Sequence, residues 1–222
     1  MDDKIVLICA TGRSGSTTMM RILNTIPHSN ICGENAGAIN SLLDFYRRIR
    51  FSSENHIPGN FNPASYEYVI QQNFKPSWYN SYNYQQMVHL IKMTIINMFK
   101  NKATTNVWGF KEIRYDHGNI NYLKEFKDLF PQTKVIIQIR ENIQAQSKSA
   151  WFKKNSNAST FLAKTNNEFV EFYRQNKEWC YLTSFEKMFD MENIKNMFRF
   201  IQCEKDFEEP KVQEILANNL KD

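Results

Sequence analysis

A chain of 222 residues that is 42% hydrophobic and 14% aromatic can bury a sizeable core without disulfide staples, which excludes a disordered tail or a collagen-like rod. Twenty-eight Lys and Arg against 23 Asp and Glu leave a net charge of +5, a mild preference for anionic ligands that falls far short of a dedicated nucleic-acid binder, so no nucleic-acid partner is expected. Cys9, Cys32, Cys180 and Cys203 are scattered, with no CxxC pair and no histidine at ligand spacing, which argues for reduced thiols and against a zinc site.

The chain opens with Ile5 to Cys9, a wholly apolar run of the kind that forms a central strand covered on both faces. That run is too short for a signal-peptide core, and no segment reaches the roughly 18 apolar residues of a membrane span. No integral membrane segment is expected, and the chain as given reads as cytoplasmic. Next come Ala10-Thr11-Gly12-Arg13-Ser14-Gly15-Ser16-Thr17-Thr18 and then Met19, Met20, Ile22, Leu23 and Ile26 with helical recurrence, closed by Pro27. The order is strand, glycine loop, helix.

Asn30 to Cys32 is a candidate second strand that ends at Gly33-Glu34. Residues 40–56 carry an apolar face beside Arg47, Arg48 and Arg50, which predicts a surface helix. Residues 57–86 are rich in Asn, Tyr, Pro and Ser, and their irregular aromatics suit either a lid or acceptor wall or a satellite core. Met87 to Phe99 predicts a crossover helix, Val107 to Phe110 a short strand ending at Lys111, and Asn119 to Leu129 another helix. Lys134 to Ile139 is the clearest central strand and stops at Arg140. A helical tract over 142–177, broken near 155–159, precedes a short strand at Trp179 to Thr183 and small helices at Asn193 to Phe200 and Pro210 to Leu220.

Strands alternating with helices over crossover-length links predict an α/β fold. It is expected to be a three-layer arrangement of the phosphate-loop (P-loop) type, with an open, mostly parallel sheet of about four or five strands flanked by helices. One domain is expected over residues 1–222, with 57–86 as a lid or acceptor wall within it.

Thr11 to Thr18 stands between a buried strand and a helix, where successive backbone N–H groups form an anion-binding nest. Against the triphosphatase pattern GxxxxGK[ST], Gly15 and Thr17 fit, but Ala10 stands at the first glycine and Ser16 at the lysine that reaches the β and γ phosphates. A positive group is present instead in Arg13. The bland alternative is a serine-rich turn that only caps the helix. After the second strong strand, Arg140 and a serine two turns into the next helix can grip a phosphate from two directions, although an arginine at a strand end also serves as a surface ion-pair partner.

Together, Gly12-Arg13-Ser14-Gly15-Ser16-Thr17 and Arg140-Glu141-Asn142 with Ser149 resemble the two cofactor signatures of the sulfotransferase family, which transfers a sulfuryl group from 3′-phosphoadenosine 5′-phosphosulfate (PAPS). The resemblance implies that Arg13, Ser14, Gly15, Ser16, Thr17 and Thr18 cradle the 5′-phosphosulfate while Arg140 and Ser149 hold the 3′-phosphate. Ser147 is the alternative to Ser149. Adenosine 3′,5′-bisphosphate would be the product, and no metal is required. Ile31-Cys32-Gly33-Glu34-Asn35 resembles a segment of carbohydrate sulfotransferases with an acidic residue near the acceptor hydroxyl. Gly109-Phe110-Lys111 and Leu182 to Met188 resemble further family segments, the latter with Phe185 and Lys187 in place of the usual tyrosine and aspartate.

In an open parallel sheet, ligands bind outside the carboxyl ends of the strands, and Arg13, Glu34, Lys111 and Arg140 each follow a predicted strand. Catalysis is therefore expected from Glu34 as general base, Arg13 at the leaving phosphate, and Lys111 orienting Glu34 or neutralising charge. His28 and His117 are competing bases, and Glu34 also suits a cap or an ion pair to Arg13. Lys111 with Glu112, Arg114 and Asp116 also reads as a solvated charge cluster, and Trp108, Trp151 and Trp179 as core or interface. The expected acceptor is a hydroxyl of a glycan or glycolipid. A kinase-like P-loop enzyme and a non-catalytic nucleotide-binding adaptor are the rival readings, and the sequence leaves the oligomeric state open.

Overall fold

In the computed structural model, residues 3–54, 83–115, 119–149 and 151–219 are described. The apolar opening run forms β1, Lys4–Ala10, in which every residue after Lys4 is buried. Four further strands join it: β2 Ser29–Cys32, β3 Val107–Glu112, β4 Lys134–Ile139 and β5 Cys180–Ser184. Their order is β2-β3-β1-β4-β5, and every neighbouring pair is parallel. β1 thus has a partner on each side, which is why its sequence carries no polar alternation.

The pleat sorts β1 into two faces. Val6, Ile8 and Ala10 join the core formed with Met19, Ile22 and Leu23 of α1 (Ser16–Leu23), and with residues of two later helices near the C-terminus. Phe110 of β3, in register with Leu7, points to the opposite face, where its ring meets Phe126 edge-on at 5.8 Å and stacks on Phe99 at 4.6 Å. Trp108 meets Phe130 in the same layer.

Two compact units divide the chain: residues 1–37 with 99–222, which hold the sheet, and Ala38–Met98. The second contains α2, Ala38–Glu54, and most of α3, Tyr84–Phe99. On α2, Ile39, Leu43, Tyr46 and Ile49 recur at helical spacing and are buried, and Tyr46 stacks on Tyr84 of α3 and has the Arg50 guanidinium over its ring, 5.4 Å from the centre. Residues 57–82 of the expected lid segment lie outside the described residues, and 84–86 open α3.

The sheet unit continues with α4 Tyr122–Leu129, the short α5 Ile143–Ser147, α6 Ala158–Gln175, α7 Met191–Phe200 and α8 Glu209–Asn219. The loop after β1 leads to α1 on one face, whereas those after β3 and β4 lead to α4 and α6 on the other. A crevice therefore opens beside the carboxyl end of β1, the place where such sheets bind ligands. Among the described residues, no helix is long and apolar enough to cross a membrane.

Two strand boundaries differ from the sequence expectation in a way that matters for the site. β3 runs on through Lys111 to Glu112, because Ile8 and Cys9 of β1 continue the ladder beside them. The helical break is also wider than expected, from 148 to 157, since α5 ends at Ser147 and α6 begins at Ala158.

At Gly109, an added Cβ would lie 1.9 Å from the carbonyl oxygen of Val6, which cannot move without breaking the central ladder. Around Gly33 there is nothing within 4 Å. Gly109→Ala should therefore cost about 3 kcal/mol or more in urea unfolding, while Gly33→Ala should stay within about 0.5 kcal/mol of the parent.

Candidate active site

The loop between β1 and α1 is held by its carbonyls. Two fully buried amides reach it from the β4 side: Gln138 Nε2 donates to the carbonyl of Ser14 at 3.0 Å, and Gln146 Nε2 donates to the carbonyl of Gly12 at 2.7 Å and to Thr11 Oγ1 at 2.8 Å. Between them, Arg140 Nη1 donates to the carbonyl of Arg13 at 3.2 Å. The Ser14 hydroxyl turns inward to the carbonyl of Thr11 at 2.7 Å, so its side chain serves the loop itself. With three successive carbonyls drawn inward, the N–H groups are left for the opposite side.

The backbone path demands unusual conformations. Arg13 has φ 62° and Gly15 has φ 85°, both in the left-handed region. A Cβ at Gly15 would also meet Phe185 at 2.6 Å and Met188 at 2.8 Å, so glycine is required there on two counts. Gly15 caps α1 without any side-chain acceptor for the first turn. The earliest N–H of the helix to find a backbone carbonyl is that of Met19, at 3.0 Å from Gly15. The N–H groups of Ser16, Thr17 and Thr18 therefore stand at the positive end of the helix dipole as ready anion donors.

The second segment that resembles a family signature follows β4. Glu186 accepts hydrogen bonds from the N–H groups of Glu141 and Asn142, both at 3.0 Å, and Asn142 in turn caps α5 by accepting from Ala145 N at 2.9 Å. Burial alone would raise the Glu186 carboxyl, but those backbone donors and the charge of Arg140 bring it below the usual range. The Arg140 guanidinium lies 4.5 Å from the centre of the Phe185 ring. Its Nε is buried with no hydrogen-bond partner among the described residues, and the same holds for Ser149 Oγ. Ser147 differs, because its hydroxyl is committed to the carbonyl of Gln144 at 3.1 Å. Buried polar groups without partners are uncommon, and these two, both in the segment that follows β4, are donors left for acceptors from outside the described residues.

Glu34 follows β2 and receives Lys111 Nζ at 2.6 Å and Arg114 Nη1 at 3.2 Å. Burial pushes its carboxyl up, but the bond and charge of Lys111 and then of Arg114 outweigh this and hold it below the ordinary carboxylate range. Glu34 is thus ionised at neutral pH and paired to Lys111, not to Arg13. Arg114 also donates to Glu112 Oε1 at 2.7 Å. Far from belonging to a solvated cluster, Glu112 is fully buried and accepts from the N–H groups of Asn35, Gly37 and Ile113 at 3.2, 3.2 and 2.9 Å. It fixes the turn that carries Glu34, a role the sequence did not disclose; an acidic residue at the end of a buried strand was the available signal.

Arg13, Gly15, Ser16, Thr17, Thr18, Glu34, Lys111 and Arg140 all line one cleft of about 450 Å³, together with Arg21, Trp151 and Phe185. The strand-end residues thus converge on one rim. His28 lies at the opposite end of β2, where its carbonyl accepts from Asn106, so it does not reach the cleft; His117 falls outside the described residues. Trp108 is buried as expected, whereas Trp151 is 59% exposed, a cleft wall and not core. A smaller apolar slot of about 180 Å³ adjoins the cleft through Gly12, Ile113 and Trp151 and is completed by Phe152, Phe161 and Arg114. Among the described residues, no group of three His, Cys, Asp or Glu side chains is arranged to hold a metal ion.

Both Glu34 and Glu186 have carboxyls below their ordinary value, so the unfolded chain takes up protons first as the pH falls. Their stabilisation is complete above that ordinary value and is lost as the pH drops through their folded values. Glu34→Gln and Glu186→Gln should each flatten the acid limb of a urea-midpoint profile between ~pH 5 and ~pH 3, and leave its neutral-to-alkaline slope unchanged.

The sequence model of the sulfotransferase family matches residues 6–195. No curated protein matches the chain in sequence. Among solved structures, the sulfotransferase domain of the Synechococcus PCC 7002 olefin synthase superposes with a TM-score of 0.57 at 15% identity, covering 95% of this chain and 77% of that one. The sulfotransferase domain from the curacin biosynthetic pathway gives 0.55 at 17% identity, covering 95% and 76%. A sulfotransferase from Alicyclobacillus acidocaldarius gives 0.50 at 13%, covering 98% and 91%. At these identities the structural likeness speaks for the fold alone, whereas the family match spans most of the chain and both sides of the cleft. The chain belongs to the sulfotransferase family and is a PAPS-dependent sulfotransferase.

Proposed function

We propose that the cleft binds PAPS with its 5′-phosphosulfate on the P-loop-like nest of residues 13–18 and its 3′-phosphate at Arg140 and Ser149, and that the acceptor is a hydroxyl of a carbohydrate or glycolipid. The observation that carries the nucleotide assignment is the pair of buried, partnerless groups, Arg140 Nε and Ser149 Oγ. A phosphate satisfies both, and the prior commitment of Ser147 to Gln144 favours Ser149 over it. The absence of a lysine at Ser16 favours this ligand over a nucleoside triphosphate. One sulfotransferase domain over the whole chain is the accompanying reading.

When bound, PAPS supplies an activated sulfuryl group whose transfer leaves adenosine 3′,5′-bisphosphate. The chain's own contribution is positional and electrostatic. Arg13 and the N–H groups at the start of α1 stabilise negative charge on the leaving phosphate. Glu34, ionised and oriented by Lys111, accepts the acceptor's proton; its lowered basicity makes it a weak base that acts through position. The apolar slot beside the cleft suits the apolar face of a sugar ring or the aglycone of a glycolipid, and the likeness of residues 31–35 to carbohydrate enzymes supports the same acceptor class.

Calorimetry without magnesium should show adenosine 3′,5′-bisphosphate binding more tightly than AMP, with Arg140→Ala weakening the bisphosphate by roughly tenfold to over a hundredfold and AMP much less. Equal affinity of the parent for the two nucleotides rejects the 3′-phosphate assignment. With sulfur-labelled PAPS and a panel of glycans, glycolipids and phenols read by mass spectrometry, Glu34→Gln should lower single-turnover transfer by roughly 10²-fold while bisphosphate binding changes little. Near-normal transfer by that variant removes Glu34 from the role of base, and sulfation confined to phenols removes the carbohydrate acceptor.

A further inference from the structure

The three carbonyls of the nucleotide loop are each caught by a side chain from the same short stretch that carries the second phosphate signature. Ser14 is held by Gln138, Arg13 by Arg140, and Gly12 together with Thr11 by Gln146. Gln146 lies on α5, three residues before Ser149, and Arg140 directly precedes the turn that starts that helix. Both glutamines are fully buried, and the carbonyl end of each amide has no partner among the described residues, so each side chain is anchored through its donor end alone.

We propose that Gln146 is a positioning residue that transmits occupancy of the 3′-phosphate site to the loop that holds the transferred end of PAPS. The inference rests on the PAPS reading and goes beyond it: the 3′-phosphate is read not only for affinity but as a condition for the loop's geometry. A phosphate on Arg140 Nε and Ser149 Oγ fixes the guanidinium and the turn just past α5, where the Ser149 N–H donates to the carbonyl of Gln146 at 3.1 Å. The guanidinium then fixes the carbonyl of Arg13, and α5 fixes Gln146 against Gly12 and Thr11. Arg13 is already in a left-handed conformation that a non-glycine residue holds only when its surroundings impose it. The two anion sites are therefore linked along two routes, through the buried amide of Gln146 and through the more exposed guanidinium of Arg140.

Gln146→Leu keeps the side chain's bulk and removes its donor. The affinities of adenosine 3′,5′-bisphosphate and of AMP are measured by calorimetry for the parent and the variant. If Gln146 links the sites, the ratio of the two affinities narrows by about tenfold in the variant, because the bisphosphate loses the linked gain while AMP never had it. A residue that serves only the fold would weaken both nucleotides by one common factor, and that result, or an unchanged ratio, overturns the proposal. Should leucine at 146 fail to fold, Gln146→Asn, which keeps an amide but draws it back by one methylene from the carbonyl of Gly12, must narrow the ratio in the same direction, and an unchanged ratio there also overturns it. A parent protein that does not distinguish the two nucleotides refutes the PAPS reading itself; a parent that distinguishes them, with variants that do so equally well, refutes only the link.

Discussion

The inward capture of three consecutive carbonyls is the constraint on which the cleft depends. A loop of small residues between a strand and a helix has many paths, and in most of them its N–H and carbonyl groups face mixed directions. Here Gln138 and Gln146 supply buried donors and Arg140 a more exposed one, all from the β4 side, so the carbonyls of Ser14, Arg13 and Gly12 turn there and the N–H groups are left for the cleft. The two amides sit in a layer with no access to water, where an unpaired donor would be costly, and this makes the arrangement resistant to rearrangement. The helix dipole of α1 and the charge of Arg13 then act on a frame that is already set.

A second buried group organises the turn that carries Glu34. Glu112 emerges at the end of β3 and gathers the N–H groups of Asn35, Gly37 and Ile113 around one carboxylate, with Arg114 closing the set. The turn after β2 is thereby tied to its neighbouring strand, and Glu34 is presented to Lys111 on a rigid support. Strand-end charges thus divide into two kinds. Those at Glu112 hold backbone, and those at Arg13, Glu34, Lys111 and Arg140 face the cleft.

Much of this was legible in the sequence because its strongest signals are local. The apolar run at residues 5–9 and the isoleucine-rich run at 135–139, interrupted only by Gln138, mark central strands, and the residues that follow strands in a parallel sheet must share a rim, so Arg13, Glu34 and Arg140 were brought together from sites up to 127 positions apart. What was not legible depends on pairing. Lys111 lies inside β3, not after it, because β1 extends the ladder, and Glu112 looks like one more surface charge until two of its three backbone donors arrive from a turn some 75 residues earlier. Gln138 and Gln146 carry no motif at all; a glutamine in a strand of isoleucines signals a buried polar duty without naming its partner. Trp151 faces the cleft since Gly12, lacking a Cβ, leaves room for its ring, a contact no periodicity encodes.

The parallel order β2-β3-β1-β4-β5 also bears on how the molecule is made. Lys4 of β1 pairs with Val107 of β3, and Val6 pairs with Lys134 of β4, so neither flank of the central strand exists until a hundred or more residues have followed it. During synthesis its apolar run has only α1 to shelter against. Contacts so distant in sequence make folding slow relative to a helical bundle of equal size, and leave a sticky strand unpaired for seconds at ribosomal elongation rates. The feature that places the glycine loop at the centre of the sheet thus leaves the newborn chain's apolar strand open to aggregation until its second half arrives.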